Sequence, residues 1–223
     1  MFKFQASLLP LAYGCITMFS FLSTLFLACY LHFKKVTENH CRQYEFLPSI
    51  SSTIGDRSPE MNVFRYGMAL TSGLRLGTIY LNHHIGLEDI QSLVSVFGSS
   101  ASVNDSVKKL RLLVPLSTIF DTIHWFRLVR HLLVPLYVHS FGRALPHPYQ
   151  VQWKVISGIV HFLLFVSSLK YFVDHTFYCV PLAYSKYSIF EWLLAFTNVA
   201  YDTLTYYDFE GLYFTLHKEK KLY

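Results

Sequence analysis

From Leu8 to Phe33 the chain carries no Lys, Arg, Asp or Glu; Lys3 precedes this run, Lys34 and Lys35 close it, and His32 is the one histidine near its end. About 20 apolar residues suffice for a helix to cross a bilayer core, and in hydrocarbon only a helix or a closed barrel satisfies its own backbone. The run therefore predicts a membrane-spanning helix. A cleaved signal peptide starts similarly, but its apolar core spans about 7–15 residues and ends at a small-x-small site, and Leu8–Phe33 does neither.

Further spans follow the same logic. Residues 34–62 are polar and hold Pro48, Gly55, Pro59 and several serines, so they predict a loop. Later spans are expected over Val63–Ile85, interrupted by Arg75, over Val155–Val173, and over Leu182–Tyr206. Residues 86–154 are membrane-associated in composition, but Asp121, Arg127, Arg130 and the histidines at 124, 131 and 139 break them up. Two short spans, one kinked span and a re-entrant hairpin all fit that segment. The expectation is an all-α, multi-pass helical bundle of six spans, four clear and two within 86–154. It forms a single membrane domain over 1–223 with a tail from 207 to 223.

Composition excludes several functions. Apolar residues make up 52% and charged residues 15%, against about 25% charged in soluble domains. The net charge of +5 comes without a long basic run, so no nucleic-acid groove is expected. Four cysteines without a CxxC pair give no zinc signature, and the three mid-chain histidines do not converge with acids or thiols; no metal is expected. Lys3, Arg143, Lys154, Lys218, Lys220 and Lys221 outnumber Lys34, Lys35, Arg42 and Arg57. With an even span count this places both ends of the chain in the cytosol.

Several motifs then occur in order: His40-Cys41, Phe46-Leu47-Pro48-Ser49-Ile50-Ser51, Ile54-Gly55, Pro59, Phe64-Arg65, Arg75 and Asn82-His83. Near the other end come Tyr171-Phe172, His175, Tyr178-Cys179, Ile189-Phe190-Glu191, Thr197-Asn198 and Asp208-Phe209. This pattern resembles the post-GPI-attachment-to-proteins family, whose members remodel the lipid of glycosylphosphatidylinositol (GPI) anchors. The motifs lie in residues 11–85 and 155–210; residues 86–154 carry none of them, and Tyr206-Tyr207 stands where the family has two tryptophans.

The resemblance implies a lumenal first loop, six spans, cytosolic termini, and residence in Golgi and endoplasmic-reticulum membranes. It implies partners among lyso-GPI-anchored proteins, membrane lipid and other remodelling enzymes, and a step in which the lyso-intermediate receives a saturated sn-2 chain. It leaves open whether the chain is itself an acyltransferase or a non-catalytic lipid-binding scaffold that assists one. No cofactor is expected beyond an acyl donor of unknown identity. On that topology Cys41 and Cys179 share the lumenal side, where they form either a disulfide or two unpaired thiols, while Cys15 and Cys29 are packing residues.

Candidate site residues follow from polar groups inside spans. Glu191, Asn198 and Asp202 share one stripe of the last span, extended by Thr205. Arg75 pairs with Glu191 or holds a lipid phosphate, and Arg75, Asn198 and Asp202 are the lipid-binding candidates. His83, His175 and Glu191 are the candidates for catalysis, since acyl transfer to a hydroxyl needs a base. His84 and Asp89 match a His-x4-Asp spacing too short to be informative, and Ser49 and Ser51 lack a GxSxG context. Lys220 and Lys221 have the form of a dilysine sorting signal.

Overall fold

The computed structural model of the protein describes residues 2–55, 57–97, 111–112, 115 and 148–216. Strand β1 (Phe2–Gln5) leads into α1 (Leu8–Thr37), followed by the short α2 (Ile50–Thr53) and the long α3 (Glu60–Phe97). Then come α4 (Pro148–Phe177), α5 (Ala183–Thr203), a 3-10 helix (Leu204–Phe209) and strand β2 (Tyr213–Leu216). The described chain is mostly helical, as expected.

Each boundary has a local cause. The charge-free run makes α1, and Lys34 and Lys35 in its last turn complement the negative end of the helix dipole. After it, Asn39 Oδ1 accepts from the backbone N–H of Cys41 and of Gln43, both at 3.0 Å, which folds the chain back. Ser49 Oγ accepts from Ser52 N at 3.1 Å and caps α2. Helix α3 continues past Ile85, where the sequence reading ended its span. The polar residues from Glu88 onward mark the edge of an apolar segment, not the end of a helix, and a glycine such as Gly86 costs a helix about 1 kcal/mol without stopping it.

Helix α1 lies antiparallel to both α3 and α5, and α4 packs on α5. Tyr171 of α4 stacks on Phe190 of α5, with ring centroids 5.4 Å apart, and Phe21 of α1 meets Trp192 of α5 edge-on. From Gly14 to Ala28 the residues buried in α1 are small or hydroxylic (Gly14, Thr17, Ser20, Thr24, Ala28), on one face at helical spacing. Thr24 is fully buried, and its hydroxyl donates to Ser20 O at 2.6 Å, so the burial leaves that hydroxyl satisfied. The outer face carries Phe19 and Phe26, 72% and 67% exposed, together with Leu22 and Tyr30. In α4, Ile159, Leu163, Val166 and Leu169 likewise face outward. Small residues inside and bulky apolar ones outside is the arrangement suited to helices packed in lipid.

Of the four spans expected, α1 and Val155–Phe177 within α4 are long and apolar enough to cross a membrane. The other two regions form helices, α3 and α5, whose Arg65, Arg75, Lys186, Glu191 and Asp202 dilute their apolar character. The two expected spans within 86–154 fall almost wholly outside the described residues. One element corrects the all-α expectation. β1 and β2 pair antiparallel, Phe2 opposite Leu216 and Gln5 opposite Tyr213, so residues 213–216 of the expected tail form a strand. Strands of four residues leave too short a pattern to stand out beside spans of about 20 residues. The ribbon and the 38–59 loop mark opposite ends of the bundle, called here the ribbon end and the loop end.

Candidate functional site

At the loop end, residues 45–50 fold over the start of α5 and are held by its side chains and backbone. Helix α5 begins after Leu182, which is left-handed (φ 63°) and offers no side-chain cap. The cap comes instead from the loop: Glu45 Oε2 accepts from Ser185 N at 2.6 Å. A carboxylate at a helix N-terminus also meets the positive end of the dipole. Glu45 is buried, and its Oε1 accepts from Asn39 Nδ2 at 3.2 Å.

The LPSxS segment is read by α5 almost residue by residue. Ser185 Oγ accepts from Phe46 N at 3.1 Å and Leu47 N at 3.3 Å. Trp192 Nε1 donates to Pro48 O at 2.9 Å, and Tyr184 Oη accepts from Ser49 N at 3.1 Å. Glu191 Oε2 accepts from Ile50 N at 2.9 Å, at the start of α2. The motif's specificity is therefore a matter of backbone donors placed to meet one face of α5.

A covalent tie completes the closure. Cys41 and Cys179 are joined in a disulfide with Cα atoms 6.0 Å apart. His40 Nε2 donates to Thr176 O at 2.9 Å and lies 3.3 Å from Cys41 Sγ. Ligand-type atoms of His40, Cys41 and Cys179 lie within 4.8 Å of one another, but sulfurs bonded to each other are not thiolates, the form that binds metals. Replacing Cys41 or Cys179 by serine should lower the heat-aggregation midpoint of the solubilised protein, the bridge being worth about 2–4 kcal/mol. The double variant should match either single one. Two free thiols, mapped by alkylation and mass spectrometry of unreduced protein, would contradict the bridge.

Beside this network, at the junction of α1 and α3, His32 Nδ1 lies 2.8 Å from Glu60 Oε1. Helix α1 kinks at His32 (φ −131°, ψ 26°), and Glu60 is the first residue of α3. The antiparallel register of the two helices brings these positions together.

The ribbon end holds a different cluster. Tyr13 of α1, Arg75, Thr78, Ile79 and Asn82 of α3, and Asp202 and Thr205 at the end of α5 line one small pocket. Thr205 Oγ1 donates to Asp202 O at 2.6 Å and helps turn α5 into the 3-10 helix. A guanidinium and a carboxylate on the walls of one cavity compensate each other in low-dielectric surroundings.

The expected α5 stripe is thus divided between two ends. Eleven residues of helix separate Glu191 from Asp202 by about 16 Å, too far for one arginine to serve both. Arg75 lies with Asp202, and Glu191 is engaged with the loop rather than with Arg75. Between them, Asn198 is half-buried, and its Oδ1 has no hydrogen-bond partner among the described residues.

The histidine candidates are also separated. His175 is buried at the loop end, its Nδ1 donating to Tyr171 O at 3.0 Å and its ring stacked on Tyr187. Those contacts are what a packing residue makes. His83 is half-buried on α3, next to Asn82 of the ribbon-end pocket, with its ring 6.0 Å from that of His84. Cys15 is exposed on the outer face of α1, not packed inside, while Cys29 is intermediate. Lys220 and Lys221 lie outside the described residues.

Sequence reasoning missed Glu45, His32 and Glu60. It looked for polar groups within the expected spans, whereas Glu45 and Glu60 fall in the expected loop over 34–62 and His32 lies at the very end of the first span. One signal was available: Glu60 directly follows Pro59, three residues before the expected span start at Val63, and His32 is the one histidine near the end of the charge-free run.

The sequence profile of the Frag1/DRAM/Sfk1/Cwh43P N-terminal domain matches residues 5–133 and 112–212. It runs through 86–154, where motif reading found no resemblance. Protein cwh43 of Schizosaccharomyces pombe is 26% identical over 227 residues, covering 97% of this chain but 23% of that protein, so the chain spans about a quarter of its length. Acyltransferase PGAP2 of Xenopus tropicalis is 23% identical over 219 residues, covering 87% of this chain and 83% of that protein. A post-GPI attachment to proteins factor 2-like protein of Drosophila melanogaster is 26% identical over 231 residues, covering 91% and 67%. No solved structure matches.

Proposed function

The chain belongs to the Frag1/DRAM/Sfk1/Cwh43P N-terminal domain family, and from that premise we propose that it acts in the lipid remodelling of GPI anchors. The finer reading is that it catalyses or promotes transfer of a saturated fatty acid to the sn-2 hydroxyl of the lyso-GPI intermediate. The observation that carries this is the likeness to acyltransferase PGAP2 along most of both chains, rather than over one shared segment. The bundle supports it, with apolar outer faces on α1 and α4 suited to lipid.

On this reading α3 and α5 cross the bilayer beside α1 and α4, with Glu191 turned to the loop-end network and Arg75 and Asp202 to the ribbon-end pocket. The full chain has six spans, with the disulfide-closed loop end in the lumen of the Golgi or endoplasmic reticulum. The physical need for the reaction is clear. One buried acyl chain holds a protein to a membrane marginally and reversibly, and two hold it stably. Cells that lack the protein should retain less GPI-anchored reporter at the surface and shed more into the medium with its anchor glycan intact. Flow cytometry with a blot of the medium reads both. Unchanged retention and no shed reporter would oppose the proposal.

A further inference from the structure

Three features set the His32–Glu60 pair apart from a packing contact. The Glu60 side chain is 1% exposed, and its Oε2 is buried with no hydrogen-bond partner among the described residues; buried polar atoms are nearly always partnered. The His32 side chain keeps 28% of its surface open, and with Nδ1 facing the carboxylate, Nε2 is the nitrogen left on the open side. Finally, α1 kinks at His32 with no proline or glycine nearby to cause it.

Depth adds a fourth argument. Helix α1 is about 45 Å long and the hydrocarbon core about 30 Å thick, so a centred α1 extends roughly 7–8 Å beyond the core at each end. His32 lies five residues before Thr37, the last of α1, or about 8 Å from that end. That is the level of the glycerol hydroxyls and ester carbonyls of membrane lipids. Exposed Tyr30, Leu31 and Phe33 beside it suit acyl chains.

The geometry points to His32 and Glu60 as the acid–base pair of an acyl transfer to a lipid hydroxyl, an inference that rests on the remodelling role proposed above. Glu60 is the positioning residue. Its carboxylate fixes the Nδ1–H tautomer of His32, leaving a lone pair on Nε2, and stabilises the imidazolium that forms. His32 is the catalytic base. Nε2 takes the proton of the sn-2 hydroxyl while that oxygen attacks the acyl carbonyl of the donor, an oxygen ester or thioester of a fatty acid. The tetrahedral adduct collapses, the bond from the acyl carbon to the donor's oxygen or sulfur breaks, and the Nε2 proton passes to that departing atom. One ester is made, one ester or thioester is cleaved, and the dyad returns to its starting state.

The test uses the full-length protein in liposomes with a lyso-GPI-anchored reporter and labelled stearoyl donor. One arm carries the label in phosphatidylcholine and the other in stearoyl-coenzyme A, so the wild type identifies the donor. His32→Gln, whose amide can still donate to Glu60, should lose about 100-fold or more in rate at normal abundance, as general-base catalysis is worth 10²–10⁴-fold. His32→Ala should regain at least about 10-fold with added imidazole, a small part of that loss; a purely structural histidine would show no such rescue. Glu60→Gln should lower kcat by about 10–100-fold with KM for the reporter unchanged. His32→Gln as active as wild type, or folded His32→Ala without imidazole rescue, would overturn the dyad and leave the remodelling role standing. Wild type inactive with both donors, together with an unaltered sn-2 chain in cells lacking the protein, would overturn both.

Discussion

Glu45→Ala is expected to destabilise the solubilised protein by about 2–5 kcal/mol, because it removes a buried carboxylate that satisfies two donors. Ser185 N and Asn39 Nδ2 would both lose their acceptor, and α5 would lose the cap that Leu182 cannot supply. The loop should detach, since the Phe46, Leu47 and Ser49 contacts all depend on the first turn of α5. The measurements are the heat-aggregation midpoint and protease cleavage within residues 38–59. Glu45→Gln keeps one acceptor oxygen and the side-chain shape, so it should lose roughly half as much. A Glu45→Ala protein as stable and protease-resistant as wild type would show that the loop is held without the cap.

Gly67→Ala should also destabilise the protein, by about 1–3 kcal/mol from overpacking, outweighing the better helix propensity of alanine. Gly67 of α3 packs against Ser20 of α1, and a Cβ there would collide with the Cβ and Oγ of Ser20. That hydroxyl donates to Ile16 O at 2.8 Å, so moving aside breaks a hydrogen bond. Without its side chain, Ser20 would leave its Cα 3.8 Å from the new methyl, an ordinary contact. The double variant Ser20→Gly, Gly67→Ala should therefore be more stable than Gly67→Ala alone, although Ser20→Gly by itself is unfavourable in a helix. Simple additivity of the two losses would mean that the helices do not meet at this point.

What could be read in the sequence depended on range. Helix α1 follows from a charge-free run, whereas the four-residue α2 lies inside what reads as a polar loop. The LPSxS motif was visible as a motif, but its role was not, because the donors it offers are backbone N–H groups and their acceptors lie 135–141 residues away on α5. Glu191, Asn198 and Asp202 read as one face of α5, but angular agreement says nothing about distance along the axis, and the structure sets Glu191 at the loop end and Asp202 at the ribbon end. His32 and Glu60 are 28 residues apart and ordinary singly; only the register of α1 against α3, set by small residues such as Ser20 and Gly67, makes them a pair. The β1–β2 ribbon was missed because its eight residues show little beyond aromatic content.

The most direct measurement is the lipid composition of a GPI-anchored reporter, purified from cells with and without this protein and examined by mass spectrometry. With the protein, the anchor should carry a saturated fatty acid esterified at sn-2. Without it, the reporter should accumulate as the lyso form, its sn-2 hydroxyl free, chiefly in the medium because a single chain holds it weakly. The same saturated sn-2 ester in equal proportion in both cell lines would contradict a role in anchor remodelling.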